Sequence, residues 1–298
     1  MLAAVLLFLV AGGLSLAIWS SPHQSPNLPP TAAAPKPIQE AALRPPPRLG
    51  DPRAAWVRFA VPAPPSGNRP LVAVVIDDLG LDRARTPEVI RLHGPLTLSF
   101  MTYANDLAQQ TEIARRAGHE LFLHVPMEAV DRREDPGPHG LFTSQSRDEI
   151  LEELRWGLTR FDGFVGINNH MGSKFTADAN SMAPIMAELH ARGLAFLDSR
   201  TSAASTGIRL AIAYGVPHAA RDVFLDDDQT PAAIAKELAR TEQVARQHGS
   251  AIAIGHPHDA TIAALKSWLP QVEAKGLALV PVSAVVRHRM TEEAEPQR

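Results

Sequence analysis

The stretch Leu71 to Gly80, LVAVVIDDLG, runs six apolar residues straight into two adjacent aspartates. A strand with one face in water alternates polar and apolar side chains. An unbroken run rich in β-branched residues instead reads as a strand buried on both faces, as in parallel sheets. The run therefore commits the chain to an α/β architecture. In such folds ligands bind beyond the carboxyl ends of the strands, the position that Asp77 and Asp78 occupy.

Downstream of Gly80 the chain alternates helix and strand. Asp82 to His93 reads as a helix, Leu96 to Met101 as a strand, Asp106 to Ala117 as a helix closed by Gly118, and Glu120 to Val125 as a third strand. Next comes a loop with Pro126, Pro136, Gly137 and Pro138, long enough to form a lid or rim. Ser146 and Glu149 have the spacing of a capping box. Further strands are expected at Gly163 to Asn168, Leu194 to Asp198, Val223 to Asp227, Ala251 to Gly255 and Leu277 to Val282. Ser181 to Arg192 reads as a helix closed by Gly193, and Thr230 with Pro231 opens another that stops before Gly249. Seven or eight such units in about 220 residues favour a (β/α) barrel over an open sheet.

Upstream, Leu2 to Trp19 is uncharged and apolar or small throughout, close to the roughly 20 residues that span a bilayer. Residues 1–20 read as a transmembrane anchor or a signal peptide. Ile18 and Trp19 fit a small-residue cleavage pattern poorly, which favours the anchor. Ser21 to Pro70 carries about half of the chain's 26 prolines and reads as a disordered, extended linker, residues 21–70. Residues 71–298 form the globular domain. Anchor, tether and domain in this order place the domain in the periplasm, held at the inner membrane. A net charge of -3 without a Lys/Arg cluster argues against nucleic acid as a partner. The chain has no cysteine, so a metal has only His, Asp and Glu to hold it.

Polar residues gather at the expected strand ends: Asp77 and Asp78, His124, Asn168 to His170, Asp198 and Arg200, Asp226 to Asp228, His256 and His258. In a barrel these ends converge on one mouth. Two neighbouring carboxylates serve either as turn formers or as a pair with separate roles, one binding metal and the other accepting a proton. Asp78, His124 and His170 supply one carboxylate and two imidazoles, a set suited to Zn²⁺ or a related divalent ion with coordination positions left open. Asn169, Asp198 and Arg200 are candidates for substrate binding, although Asp198 and Arg200 also suit a local ion pair at the barrel rim.

The stretches VVIDDLG, GHELFLHVPME, GINNHMGSKF, FLDSRTS and AIAIGHPHDAT, in this order between Leu71 and about Val286, resemble the divergent polysaccharide deacetylase family, a branch of the NodB-like carbohydrate esterases. The resemblance implies a distorted (β/α)7-8 barrel and metal-dependent removal of acetyl groups from N-acetylated sugars. It also implies Asp77 as the base, Asp78 and His124 as metal ligands, and His256 as the acid. The second metal histidine of the wider superfamily falls at Glu128. Either Glu128 ligates, or His170 from the next strand restores the second nitrogen, which is the preferred assignment. His258 matches no family position. The implied substrate is an envelope polysaccharide or peptidoglycan-like glycan. The departure at Glu128 motivates a rival reading, a non-catalytic glycan-binding or scaffold protein on the same barrel. A phosphate-ester hydrolase is disfavoured, because no glycine-rich phosphate loop or basic cluster accompanies the site.

Overall fold

A computed structural model describes residues 54–294. The expected anchor at Leu2 to Trp19 and most of the proline-rich stretch lie outside the described residues. Among the described residues no helix is long and apolar enough to cross a membrane.

The elements in chain order are α1 (Ala55–Arg58), β1 (Leu71–Leu79), α2 (Arg85–Ile90), β2 (Thr97–Met101), α3 (Leu107–Arg116), β3 (Glu120–Met127) and α4 (Arg147–Leu158). There follow β4 (Gly166–Met171), α5 (Ala179–Arg192), β5 (Ala195–Asp198), α6 (Gly207–Tyr214), β6 (His218–Ala220) and β7 (Val223–Phe224). The chain then forms α7 (Pro231–His248), β8 (Ser250–Gly255), α8 (Asp259–Trp268), β9 (Ala278–Leu279) and α9 (Val282–Ala294). All strand pairs are parallel, in the order β6-β5-β4-β3-β2-β1-β8-β7, and β9 pairs with the first two residues of β1. Only Arg221 and Asp222 separate β6 from β7. One bent segment, His218 to Phe224, thus pairs first with β5 and then with β8, and carries the sheet around into a distorted (β/α) barrel. The residue pattern predicts a single strand here, at Val223 to Asp227, and neither β6 nor α6. It also predicts an end to the fourth strand at Asn168, whereas β4 continues through His170 to Met171.

The β1 run is buried on both faces for a visible reason. Val72, Val74 and Ile76 belong to the apolar layer between sheet and helices, while Leu71, Ala73 and Val75 belong to the barrel interior with Phe122, Leu197, Ala219 and Ile254. The N-terminal end of the barrel is plugged from both chain directions. The first turn of α9 enters it, with Val282 N donating to Thr97 Oγ1 and Ser283 N to Glu120 Oε1, each at 3.0 Å. Thr97 and the Glu120 carboxylate thereby each satisfy one helix N–H that has no intrahelical partner. Burial pushes the Glu120 carboxyl up, against the bonds from Ser283 and Thr97.

The other half of the plug corrects the boundary expected at Leu71. Trp56 of α1 is only 2% exposed, packs in the interior cluster with Val282, Val285 and Val286, and donates its backbone N–H to Gly193 O at 2.9 Å. Proline content makes Ala54 to Pro70 look like tether, but one buried indole is enough to fasten it to the domain. Trp56→Ala is expected to lower unfolding stability by roughly 3–5 kcal/mol, the scale for truncating a buried large aromatic. A urea midpoint unchanged from wild type would contradict this placement.

Candidate active site

The site grows out of the strands' inward-facing rows. With a side-chain period of two, Val75 is followed by Asp77, Phe122 by His124, Ile254 by His256, and Gly166 by Asn168 and His170. Each strand thus carries apolar side chains inside the barrel and polar ones at its mouth. Alternation alone would send Asp78 to the opposite face. The β1–β2 register shifts between Ile76 and Leu79, and Asp78 has φ 57°. This bulge, with a left-handed residue in it, turns the second carboxylate toward the same mouth.

There Asp78 Oδ1 lies 2.8 Å from His170 Nδ1 and 3.3 Å from His124 Nε2. The two rings meet edge to face with centroids 5.1 Å apart. His124 Nδ1 sits 2.9 Å from Asn168 Oδ1, which can only accept, so Nδ1 carries a proton and Nε2 is the nitrogen turned toward Asp78. Asp78 Oδ1 is buried, and no hydrogen bond of good geometry reaches it. Three ligand atoms, all within 4.8 Å of one another, need positive charge among them, which a bound cation or protons on the imidazoles supply. One carboxylate and two imidazoles fit Zn²⁺ with positions left for water and substrate.

The two aspartates are driven apart electrostatically. Burial pushes the Asp77 carboxyl up, opposed by the charges of His124 and His256. Burial also acts on Asp78, but the adjacent imidazoles of His124 and His170 outweigh it and hold that carboxyl well below the usual range. Neighbouring carboxyls with opposite shifts are suited to separate roles. Asp77 is 2% exposed, and Asn168 Nδ2 donates to both of its oxygens, at 2.9 and 3.0 Å.

Across the mouth, His256 Nδ1 donates to Asp226 Oδ1 at 2.9 Å. Asp226 Oδ2 accepts from His256 N at 2.7 Å and Thr261 Oγ1 at 2.8 Å. Burial works to lower the His256 pKa, but the Asp226 bond and the charges of Asp77, Asp226 and Asp78 push it up to about 9. The imidazolium leaves Nε2–H as its remaining donor. Asp226, His256 and His258 also bring three ligand atoms within 4.8 Å of one another. Both Asp226 oxygens are already hydrogen-bonded, however, so this group is an imidazole held by its carboxylate rather than three free ligands.

A cleft of about 430 Å³ joins these groups, lined among others by Asp77, His124, His170, Arg200, Arg221 and His256. A larger hollow of about 670 Å³, beside Phe59, Phe161 and Arg192, holds none of them. The other expected site residues are placed differently. Asp198 Oδ1 accepts from Arg200 N at 2.8 Å and Oδ2 from Ser205 Oγ at 2.7 Å, so its carboxylate shapes the loop after β5 instead of pairing with the Arg200 side chain or facing substrate. Asn169 borders the cleft, but its amide is occupied by Ser199 N at 2.9 Å and Met171 O at 2.7 Å. Glu128 accepts from Thr143 N at 2.8 Å, Thr143 Oγ1 at 2.6 Å and Lys174 Nζ at 2.6 Å. It is a rim brace, and the second imidazole beside Asp78 comes from His170.

Three residues at the site carry no role on sequence grounds alone. Asn168 shares the inward row of His170, a signal present in the spacing. Asp226 lies two residues past Phe224, and His256 two past Ile254, and Phe224 pairs with Ile254 across β7 and β8; the register places the imidazole beside its carboxylate once the strands are known. Arg221 follows a three-residue strand too short to read. Its guanidinium donates to Ser199 O at 2.7 Å and Arg200 O at 3.0 Å and lies 4.7 Å over the Phe224 ring.

The divergent polysaccharide deacetylase model matches residues 74–286, nearly the whole barrel. The uncharacterized protein YibQ of Escherichia coli K12 is 32% identical over 227 residues, covering 76% of this chain and 70% of that protein. An uncharacterized protein of Haemophilus influenzae is 34% identical over 201 residues, covering 66% of this chain and 70% of that protein. Among solved structures, uncharacterized protein ATU2773 from Agrobacterium tumefaciens C58 superimposes with a TM-score of 0.76 at 31% identity, covering 78% of this chain and 95% of that one. On these matches the chain belongs to the divergent polysaccharide deacetylase family.

Proposed function

We propose that the protein is a zinc-dependent hydrolase that removes acetyl groups from an N-acetylated envelope polysaccharide or peptidoglycan-like glycan. The observation that carries this reading is the convergence of Asp78, His124 and His170 on an otherwise unsatisfied buried oxygen, in a cleft also lined by Asp77 and His256. A divalent cation held by these three residues supplies Lewis-acid activation of the amide carbonyl and of water. Asp77 accepts the proton of the attacking water, its carboxylate oriented by Asn168. His256, charged and held by Asp226, donates its Nε2 proton to the departing amine nitrogen as the C–N bond breaks, leaving acetate and a free amine. Arg200 and Arg221 border the same cleft, where they meet the hydroxyl-rich sugar. The uncharged apolar stretch Leu2 to Trp19 supports a periplasmic location at the inner membrane.

Metal content and turnover should separate along these lines. Asp78→Ala, His124→Ala and His170→Ala are each expected to lose zinc, measured by elemental analysis, while Glu128→Ala keeps it. Asp77→Asn should keep zinc but release acetate about 100-fold more slowly or worse, the scale of a general-base contribution. Full zinc in His170→Ala with loss in Glu128→Ala would move the ligand to Glu128. Wild type that binds zinc and glycan yet releases no acetate would establish the glycan-binding reading instead.

The pH profile tests the acid. With its pKa raised to about 9, His256 is protonated and able to donate below that pH and loses the proton above it. Activity should therefore fall on the alkaline side near pH 9. Asp226→Asn removes the hydrogen-bonded one of the three charges that raise the pKa, so its alkaline limb should move toward neutrality. A limb that stays in place in Asp226→Asn would contradict the assignment of His256.

A further inference from the structure

Asn168 is fully buried, yet its one amide reaches four side chains from four different parts of the barrel. Oδ1 accepts from His124 Nδ1 at 2.9 Å and from the Ser99 hydroxyl. Nδ2 donates to Asp77 Oδ1 at 2.9 Å, to Asp77 Oδ2 at 3.0 Å and to Ser199 Oγ at 3.2 Å. Asn168 stands directly beside His124 in the β3–β4 register, whereas β1, which carries Asp77, lies three strands away in the sheet. The side chain therefore crosses the barrel interior. Its two ends are not interchangeable, because a carboxylate accepts only and so selects the NH₂ group, which leaves the oxygen for the histidine.

We infer that Asn168 is a positioning residue that fixes the tautomer of His124 and the carboxylate plane of Asp77 with a single amide. The inference rests on the metal-dependent reading of the site. A neutral imidazole has one donor and one acceptor nitrogen. Occupying Nδ1–H leaves Nε2 as the acceptor that faces Asp78 and His170, and the opposite tautomer would present a hydrogen where a cation must bind. On the other side, the paired contacts to both Asp77 oxygens hold a buried carboxylate that would otherwise be free to rotate. Ligand and base thus share one fixed reference, and the spacing between them follows from the geometry of an amide.

Two substitutions separate the two ends. Asn168→Leu keeps most of the volume and removes both functions. Asn168→Asp keeps an acceptor for His124 Nδ1–H but replaces the amide donor by a second carboxyl that shares a proton with Asp77, which is then no longer a free base. Zinc affinity is read by competition with a chromophoric chelator, and the His124 ring N–H by NMR of protein labelled with ¹⁵N-histidine. Asn168→Leu is expected to lose roughly 10- to 100-fold in zinc affinity, the usual effect of removing a ligand's outer partner, and to lose or shift the His124 ring N–H resonance. Asn168→Asp should keep both zinc and the resonance but lose acetate release by a comparable factor. Near-UV circular dichroism checks the fold of each variant, and Asn168→Ser replaces the leucine variant if that one does not fold. A folded Asn168→Leu protein with wild-type zinc affinity and an unchanged His124 resonance overturns the inference, as does full turnover in Asn168→Asp. If wild type takes up no zinc, the functional reading fails, and the His124 resonance compared between zinc-free wild type and zinc-free Asn168→Leu still decides the role of Asn168.

Discussion

A buried carboxylate oxygen with no hydrogen bond, facing one ring nitrogen from each of two imidazoles, is the constraint around which this barrel is arranged. Left unpaired it is unfavourable, because a polar atom out of water needs a partner. A cation answers all three groups at once. The backbone accepts its own penalty to create the arrangement, since a non-glycine residue at φ 57° is strained and the bulge at Asp78 brings that carboxylate over. Such strain persists where the surrounding structure over-determines it. Here the double-sided burial of β1 provides that rigidity.

The rest of the scaffold holds the mouth open while closing everything else. At the N-terminal end, Trp56 and the first turn of α9 fill the interior, with Glu120 anchoring the helix start. At the side, the sheet is continued by the bent segment His218 to Phe224. That segment brings Arg221 to the cleft wall and, through the strand after the bend, aligns Asp226 with His256. This bent part of the barrel wall is therefore also a builder of the site. An irregularity of this kind is where α/β folds acquire their particular chemistry, while regular strands supply the frame.

Much of this is legible in the sequence because period and burial are local properties. The LVAVVI run announces a two-sided strand, and aspartates and histidines after apolar runs announce the mouth. Asp78 is different: alternation points it away from Asp77, and although the pairing of the aspartates and the family resemblance both put it in the site, the bulge that turns it there leaves no mark in the residue pattern. The features that stay hidden depend on partners distant in sequence. Asn169, Asp198 and Glu128 carry the same polar signature as site residues, but loop N–H groups and a lysine hold them, and nothing local distinguishes a carboxylate that braces a loop from one that faces a ligand. Asn168 and Asp226 acquire meaning only when the strand register is known. Composition fails at Ala54 to Pro70 because an average over prolines conceals one buried tryptophan.

Whether Asp78, His124 and His170 form one metal site is decided by anomalous diffraction at the zinc absorption edge from crystals of the zinc-loaded protein. A single strong peak is expected within bonding distance of the Asp78 carboxylate and of one nitrogen each from His124 and His170. A peak at Asp226, His256 and His258 instead, or a zinc-loaded crystal with no peak beside Asp78, would contradict the assignment.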